Sequence, residues 1–271
     1  MGSIEQWSRY DGRRVVVTGC ASGIGAHLAG QLRELGAEVI GLDRVRPRAE
    51  LAEFHELDLA DPASIDRAIA AVGGPVDALF NVAGVSSGIG DPLRVVTINF
   101  LGTRRLTEGL LATMGAGSAV VSVSSLAAAG YLDNKHSVEG LLRTADLAEG
   151  IQWCHRYPEA LADGGYRLSK EAIILFTMSK AVALGARGIR INCTGPGVTE
   201  TPILDQLRGA YGQDYLDGFP QPLGRVSDPA EQASVLAFLN SRAAAFVTGQ
   251  VLWVDGGIVA SRVAAELAER R

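Results

Sequence analysis

The chain of 271 residues has few cysteines, with thiols only at Cys20, Cys154 and Cys193. Their odd number and wide separation exclude a disulfide framework, and no two have the C-x-x-C spacing of a zinc or redox site. The four histidines also show no spacing with acids or thiols that would suit a metal. We therefore expect buried, unreactive thiols and no metal site.

Long apolar runs and basic clusters are also missing. No apolar segment reaches the roughly 18–20 residues of a membrane span, and none follows a basic segment as in a signal peptide. The net charge is −5 and the isoelectric point is near 5.5, so the composition offers no basic patch for nucleic acid. We expect a soluble, cytoplasmic protein that binds neither membranes nor nucleic acid.

The sequence is instead rich in apolar residues and glycine. Hydrophobic residues make up 47% of the chain, and 33 residues are glycine. A chain of this length and composition can bury a large core, and no change in composition suggests a linker. These features predict one α/β domain that spans residues 1–271.

A glycine-rich turn, Gly19-Cys20-Ala21-Ser22-Gly23-Ile24-Gly25, separates a β-branched run from a helical pattern. Glycines at such a turn let a pyrophosphate approach the amides at the start of the helix. The next predicted strand ends at Asp43, whose carboxylate would bond a ribose 2′-hydroxyl and repel a 2′-phosphate. The pattern predicts a dinucleotide site that prefers NAD to NADP, although Arg44 and Arg46 weaken this preference.

Tyr166 and Lys170 are four residues apart in a segment predicted to be helical. They would lie on one face, one turn apart, so that the ammonium approaches the phenol. A cation at about 4–5 Å would lower the pKa of the phenol, and an oxidised nicotinamide ring would add a second positive charge. A surface lysine beside a half-buried tyrosine is the alternative.

Other predicted strands end in small or polar residues. Residues 77–84 form a strand that runs into a small-residue turn, and residues 118–125 form a strand with two serines at its carboxyl end. Ligands bind at this edge of an open α/β sheet, although either serine could simply cap a turn. Asn99 lies inside a helix predicted over residues 95–114, where its side chain requires a water or backbone partner.

The order of these motifs resembles the short-chain dehydrogenase/reductase family over about residues 12–259. The resemblance rests on Thr18-Gly19-x-x-x-Gly23-Ile24-Gly25, Asn81-Val82-Ala83-Gly84, Asn99, Ser124-Ser125, Tyr166-x-x-x-Lys170 and Pro196-Gly197. It implies a single Rossmann-like domain, with a doubly wound parallel sheet of about seven strands and helices on both faces. It also implies an NAD(P)-dependent oxidoreductase that acts on CH–OH groups.

The resemblance further implies roles for individual residues. Tyr166 would be the general acid/base, and Ser125 would bond the substrate oxygen. Lys170 would bond the nicotinamide ribose as well as lower the pKa of the phenol, and Asn99 would hold a water that joins Lys170 to solvent. The cofactor-binding set that it implies is Gly19, Ser22, Gly23, Ile24, Gly25, Asp43, Asp58, Leu59, Asn81, Ala83, Gly84, Tyr166, Lys170, Pro196, Gly197, Thr199 and Thr201.

Two spacings depart from the common family pattern. Ser125 and Tyr166 are 41 positions apart, whereas a connection of roughly a dozen residues is usual there. The additional residues form an insert, about residues 128–165, whose apolar rhythm predicts helices. Asn81 and Asn99 are only 18 positions apart, so the intervening helix is expected to be shortened or missing.

Both departures resemble the bacterial 3α-hydroxysteroid dehydrogenase/carbonyl reductases and coniferyl-alcohol dehydrogenases. In that subgroup the insert adjoins the helices that most members use for pairing, which implies a homodimer with an altered interface. Residues 199–227 are rich in glycine and proline, contain three aromatic residues and predict a lid over the substrate.

We therefore expect NAD-dependent interconversion of a bulky apolar secondary alcohol and its ketone. One alternative is an aryl or allylic alcohol dehydrogenase of the coniferyl type, or a terpene alcohol dehydrogenase. Two others are a non-catalytic NAD-binding scaffold and an adaptor whose insert recruits a partner.

Overall fold

The computed structural model describes residues 3–269, in which seven parallel strands form one sheet. The strands are β1 Arg14–Thr18, β2 Glu38–Asp43, β3 Glu53–Glu56, β4 Ala78–Asn81, β5 Ala119–Val123, β6 Arg190–Pro196 and β7 Val251–Val254. Their order across the sheet is β3-β2-β1-β4-β5-β6-β7. The chain order reverses between β1 and β4, where doubly wound sheets bind ligands. The predicted fold class is confirmed.

Helices accompany the sheet on both faces. Within the described residues they are α1 Ile4–Ser8, α2 Gly23–Glu34, α3 Pro62–Val72, α4 Pro92–Val96, α5 Thr103–Leu110, α6 Lys135–Leu142, α7 Leu147–Arg156, α8 Tyr166–Gly185, α9 Pro202–Tyr211, α10 Gln213–Asp217, α11 Pro229–Asn240 and α12 Ile258–Glu269. None of the helices described combines the length and apolar content needed to cross a membrane.

Alternate residues of the strands face two separate hydrophobic cores. Val16 and Leu79 pack with α3, α5 and α8, whereas Val15 and Val17 pack with α2 and α11. All four side chains are fully buried. Because the sheet is covered on both faces, a ligand must approach it from the edge where the strands end.

The helical stretch around Asn99 differs from the predicted helix over 95–114. It begins earlier, at Pro92, because Asp91 accepts a hydrogen bond from the Arg94 amide and proline suits the first helical position. A π-helical segment, Thr97–Gly102, joins α4 to α5, which ends at Leu110. Only a short turn and α4 precede this segment, so the intervening helix is shortened, as predicted.

The insert, residues 128–165, is helical as predicted and contains α6 and α7. Arg104 of α5 fixes it in place. The guanidinium donates to the carbonyl and the hydroxyl of Thr144 at 3.0 and 3.1 Å, and to the Asp146 carbonyl at 2.9 Å. Arg104 is 4% exposed, and burial lowers its pKa. Three hydrogen bonds therefore attach the middle of the insert to α5.

The lid segment, residues 199–227, contains α9 and α10 and is therefore not a structureless loop. Its two ends meet. The Glu200 amide donates to the Ser227 carbonyl at 3.0 Å, and the Ser227 amide donates to the Val198 carbonyl at 2.9 Å. Backbone hydrogen bonds thus close the base of the lid segment.

Candidate active site

A cavity of about 510 Å³ lies at the carboxyl edge of the sheet. It brings together most of the residues that the sequence predicted for a site. Those that line it are Gly19, Ser22, Gly23, Ile24, Gly25, Asp43, Asp58, Leu59, Ala83, Gly84, Ser125, Tyr166, Lys170, Pro196, Gly197, Thr199 and Thr201. Asn81 and Asn99 are not part of this lining.

The glycine turn packs directly against the end of β4. Gly19 has φ 71°, and a Cβ there would lie 2.9 Å from the backbone of Ala83. A Cβ on Gly25 would lie 2.1 Å from the Gly19 carbonyl oxygen. The Thr18 hydroxyl accepts hydrogen bonds from the Val82 and Ala83 amides at 2.9 and 3.0 Å. Glycine is therefore required at both positions. The hydrogen bonds of Thr18 hold the end of β1 against the turn after β4.

The N-terminus of α2 and the Asp43 carboxylate face the same cavity. The Ser22 side chain makes no capping hydrogen bond to the first amides of α2, and free helix amides favour an anion. Asp43 Oδ2 accepts from the Ala21 amide at 3.0 Å, and Oδ1 accepts from the Val45 amide at 3.2 Å. These residues fit a dinucleotide, because the amides suit a pyrophosphate and the oriented carboxylate suits a ribose hydroxyl.

Asp58 and Leu59 line the cavity beyond Asp43. Asp58 Oδ1 accepts from the Ala60 amide at 2.8 Å, and the Asp58 amide donates to Ser64 Oγ at 3.0 Å. Arg94 Nη2 lies 3.8 Å from Asp58 Oδ2. These contacts hold the loop after β3 against the start of α3.

Tyr166 is the first residue of α8. Gly165 precedes it with φ 71°, and a Cβ there would lie 2.5 Å from the Pro92 carbonyl oxygen. This glycine lets the chain pass from the insert into α8 beside α4. Burial raises the pKa of the Tyr166 phenol, the Ser125 side chain opposes that rise, and Tyr215 adds to it.

Lys170 lies one turn along α8 and is 5% exposed. Its Nζ donates to the Val123 carbonyl at 2.9 Å and lies 5.7 Å from the centre of the Tyr166 ring. Burial lowers the pKa of Lys170 to about 8. The spacing predicted that Lys170 and a positive nicotinamide ring together would lower the pKa of Tyr166; in the protein alone, burial of the phenol raises this pKa. The ammonium is directed at Val123 and does not offset that burial.

The two serines after β5 have different environments. Ser124 is 2% exposed, and its hydroxyl donates to the Lys170 carbonyl at 2.7 Å, which joins α8 to β5. Ser125 is partly exposed to the cavity, and its Oγ accepts from the Ala127 amide at 3.2 Å. The Ser125 hydroxyl also interacts with the Tyr166 phenol, whose pKa it lowers, so both groups can meet one ligand in the cavity.

Asn99 lies behind the cavity, in the π-helical segment, a feature often found at functional sites. Its side chain pairs with the backbone of Val85, accepting from the amide at 2.9 Å and donating to the carbonyl at 3.0 Å. The sequence left open whether this side chain would bond a water or the backbone, and in the structure it bonds the backbone. A Cβ on Gly84 would lie 3.1 Å from Asn99 Oδ1 and 3.4 Å from Lys170 Nζ. Gly84 thus lets Asn99 and Lys170 approach the turn after β4.

Asn81 is 4% exposed and faces the core. Its Nδ2 donates to Thr107 Oγ1 at 2.9 Å and to Ser122 Oγ at 3.1 Å. The side chain therefore joins β4 to α5 and β5 and does not itself line the cavity.

Several residues that line the cavity were not predicted from the sequence. One is charged, Arg262 on α12, whereas Arg44 after β2 was considered only for its effect on the NAD preference. Most of the others are apolar and come from the ends of strands and from the lid segment, including Val82, Val123, Val198, Leu207 and Leu216. Apolar residues at strand ends carry no motif, and only the resulting fold shows which of them reach the cavity.

The three cysteines are buried, as expected. Burial raises the pKa of Cys20 to about 12, of Cys154 to about 11 and of Cys193 to about 12. These thiols are therefore protonated at neutral pH. Among residues 3–269, no three His, Cys, Asp or Glu side chains come together in a group that could hold a metal ion.

Two family models match the chain. One is described as "NAD dependent epimerase/dehydratase family" and matches residues 15–150, and the other is described as "Enoyl-(Acyl carrier protein) reductase" and matches residues 159–259. Together they span the glycine turn, the helix that carries Tyr166, and β7.

Relatives of known activity are similar to the chain over nearly their whole length. A coniferyl-alcohol dehydrogenase from Pseudomonas sp. is 35% identical over 93% of this chain and 98% of its own. A 3-alpha-hydroxysteroid dehydrogenase/carbonyl reductase from Comamonas testosteroni is 31% identical over 90% of this chain and 95% of its own.

A solved structure shares both fold and sequence. It is the crystal structure of the 3-alpha-hydroxysteroid dehydrogenase from Pseudomonas sp. B-0831 complexed with NADH, with a TM-score of 0.80 and 35% identity. The match covers 93% of this chain and 98% of the other. The chain therefore belongs to the short-chain dehydrogenase/reductase family and is an NAD(P)-dependent oxidoreductase that acts on CH–OH groups.

Proposed function

We propose that this protein is an NAD-dependent dehydrogenase that interconverts a bulky apolar secondary alcohol and its ketone, of the 3α-hydroxysteroid dehydrogenase/carbonyl reductase type. The observation that carries the proposal is the convergence of Ser125, Tyr166 and Lys170 on the cavity that also contains the glycine turn and Asp43. The hydroxysteroid and coniferyl-alcohol relatives support the alcohol class.

NAD, when bound, supplies the acceptor for the substrate's hydride. The amides at the start of α2 would hold its pyrophosphate, Asp43 a ribose hydroxyl, and Lys170 the nicotinamide ribose. Asp58, Thr199 and Thr201 line the same cavity and would complete its binding.

Ser125 Oγ would hold the substrate oxygen while Tyr166 Oη exchanges a proton with it. Because burial raises its pKa, Tyr166 is protonated at neutral pH and suited to donate a proton to a ketone. To accept a proton from an alcohol, Tyr166 must first lose its own, and the Lys170 ammonium together with the positive nicotinamide ring would favour that loss.

Asp43 is expected to set the preference for NAD. Replacing Asp43 with serine should raise the Kd of NAD about tenfold and reduce discrimination against NADP, because it removes a charged ribose acceptor that also repels a 2′-phosphate. Calorimetric titration with each cofactor measures this effect. The control is Asp66→Asn, which removes an equal charge from an exposed ion pair with Arg105. A wild-type preference for NADP would contradict the role of Asp43.

The lid segment supplies an aromatic wall to the cavity. Tyr215 and Phe219 both line the cavity, and their ring centres lie 5.4 Å apart in an edge-on arrangement. Tyr215 is 47% exposed and lines the same cavity as Tyr166. Such a wall suits a substrate with a ring.

One alcohol panel tests the function and this wall together. NAD and NADP are each tried with hydroxysteroids, cinnamyl-type alcohols, monocyclic terpene alcohols and propan-2-ol. Tyr215→Leu should raise KM for the preferred ring alcohol about 3- to 10-fold and leave that of propan-2-ol unchanged. The control Tyr157→Leu changes an exposed tyrosine of the insert. If no alcohol in the panel reduces either cofactor, the proposed function is wrong.

An aryl or allylic alcohol dehydrogenase of the coniferyl type is the second candidate, supported by the 35% identity to the coniferyl-alcohol dehydrogenase. Turnover of cinnamyl-type alcohols without turnover of hydroxysteroids would favour it. The homodimer that the insert implies stays a prediction.

A further inference from the structure

Gln232 is a buried polar residue of α11 and is not among the residues that line the cavity. It is 1% exposed. Its Nε2 donates to Ser227 Oγ at 2.9 Å and to the Val254 carbonyl at 2.8 Å. Its Oε1 accepts no hydrogen bond among the described residues. Burying an amide with an unpaired oxygen destabilises the fold, and the two hydrogen bonds that Gln232 donates offset this cost.

The hydrogen bonds of Gln232 continue to the cavity through two hydroxyls. Ser227 Oγ lies 2.8 Å from Thr199 Oγ1, which donates to the Gly197 carbonyl at 3.1 Å. Since Thr199 donates to Gly197 and Ser227 accepts from Gln232, the Ser227 hydroxyl can donate to Thr199 Oγ1 at 2.8 Å, with the Val198 carbonyl at 3.4 Å as a second, more distant acceptor. Thr199 and Gly197 both line the cavity.

The same bonds reach the base of the lid segment. Ser227 and Thr199 are its last and first residues, and their backbones pair there as a parallel bridge. Val254, the other partner of Gln232, is the last residue of β7. Gln232 therefore joins both ends of the lid segment to α11 and to the sheet.

We propose that Gln232 is a positioning residue that acts through Ser227, orienting Thr199 toward the cofactor and holding the two ends of the lid segment together. The cofactor part rests on the proposed function, in which Thr199 contacts NAD. Without the Gln232 amide, both hydroxyls can rotate and the base of the lid segment loses its bond to β7.

The test variant is Gln232→Met, which keeps a similar length and volume but donates no hydrogen bond. We expect the Kd of NAD, measured by calorimetry, to rise about tenfold, and KM for the alcohol to rise with it, while kcat changes less than about threefold. Amide hydrogen exchange at Glu200 and Ser227, measured without cofactor, should become faster because these amides close the base of the lid segment.

Asn240 provides a matched control on the same helix. It is also buried, its Nδ2 donates to the Leu79 carbonyl at 3.0 Å, and its Oδ1 has no partner among the described residues. Asn240→Leu should lower Tm but leave the Kd of NAD and the exchange at Glu200 and Ser227 unchanged. An equal effect of both variants on these quantities would overturn the proposal.

Ser227→Ala removes the relay while leaving Gln232 in place. The double variant Gln232→Met/Ser227→Ala should have a Kd for NAD no higher than that of the single variant with the higher Kd. Both changes break the same chain of bonds, so their effects should not add. Additive losses would overturn the proposal, and so would normal exchange and a normal Kd in Gln232→Met. If the wild-type protein does not bind NAD, the proposed function fails, whereas hydrogen exchange still decides the role of Gln232 at the lid segment.

Discussion

Replacing Tyr166 with phenylalanine is expected to lower kcat about 10³-fold while leaving the Kd of NAD within about twofold of wild type. The phenol oxygen is the only atom removed, and it is the atom proposed to exchange a proton with the substrate. Steady-state rates and calorimetric titration of the same preparation measure the two quantities.

The control for Tyr166→Phe is Tyr157→Phe. Tyr157 is an exposed tyrosine of the insert whose ring lies 5.2 Å from that of Trp153. Tyr157 is not among the residues that line the cavity, so Tyr157→Phe removes the same hydroxyl outside the proposed site and should keep full activity. Retained turnover in Tyr166→Phe would remove the assignment of Tyr166 as the acid/base and with it the proposed mechanism.

Replacing Lys170 with methionine is expected to abolish turnover and yet stabilise the free protein at neutral pH. Burial lowers the pKa of Lys170 from 10.5 to about 8, so that folding with this side chain charged costs about 3 kcal/mol. Methionine avoids this cost but loses the hydrogen bond to Val123, worth about 1–2 kcal/mol. We expect a net gain of about 1–2 kcal/mol in the free energy of unfolding, measured with denaturant.

The pH dependence of this gain identifies its cause. Below about pH 8 the folded Lys170 is charged, and the gain is complete. Between about pH 8 and 10.5 the unfolded chain binds more protons than the folded one, so wild-type stability rises with pH and the advantage of methionine disappears. Lys180→Met is the control, because Lys180 is part of a half-exposed ion pair with Glu108 and should show no such gain. A Lys170→Met variant that is less stable than wild type at neutral pH would show that burying the charged Lys170 does not destabilise the folded protein.

The residues that could be predicted from the sequence are those whose backbone or chemistry is unusual. Gly19 and Gly25 were predictable because a tight turn that a pyrophosphate approaches favours glycine, and in the structure a Cβ at either position would meet backbone atoms. Tyr166 and Lys170 were predictable because their spacing places them on one face of a helix. The end of β1 followed from its β-branched run, and β2 ends at Asp43, as predicted.

Other features depend on tertiary contacts that leave no local pattern. The raised pKa of Tyr166 arises first from burial of the phenol and then from Tyr215, and the Lys170 ammonium is directed at Val123. None of these contacts can be read from the four-residue spacing. Helix α12, which carries Arg262 to the cavity, was not predicted. Gln232 lies in an ordinary helical pattern, and only the fold shows that it reaches both ends of the lid segment.

The attachment of the insert to Arg104 has a consequence for chain entropy. A flexible connection between β5 and α8 would cost more conformational entropy to close as it lengthens, by about 0.6 kcal/mol for each doubling. Arg104 holds Thr144 and Asp146 and so divides the connection into two shorter loops of similar length. The second loop alone determines how freely the chain can move just before Tyr166. A long insertion can therefore precede the reacting phenol without loosening it.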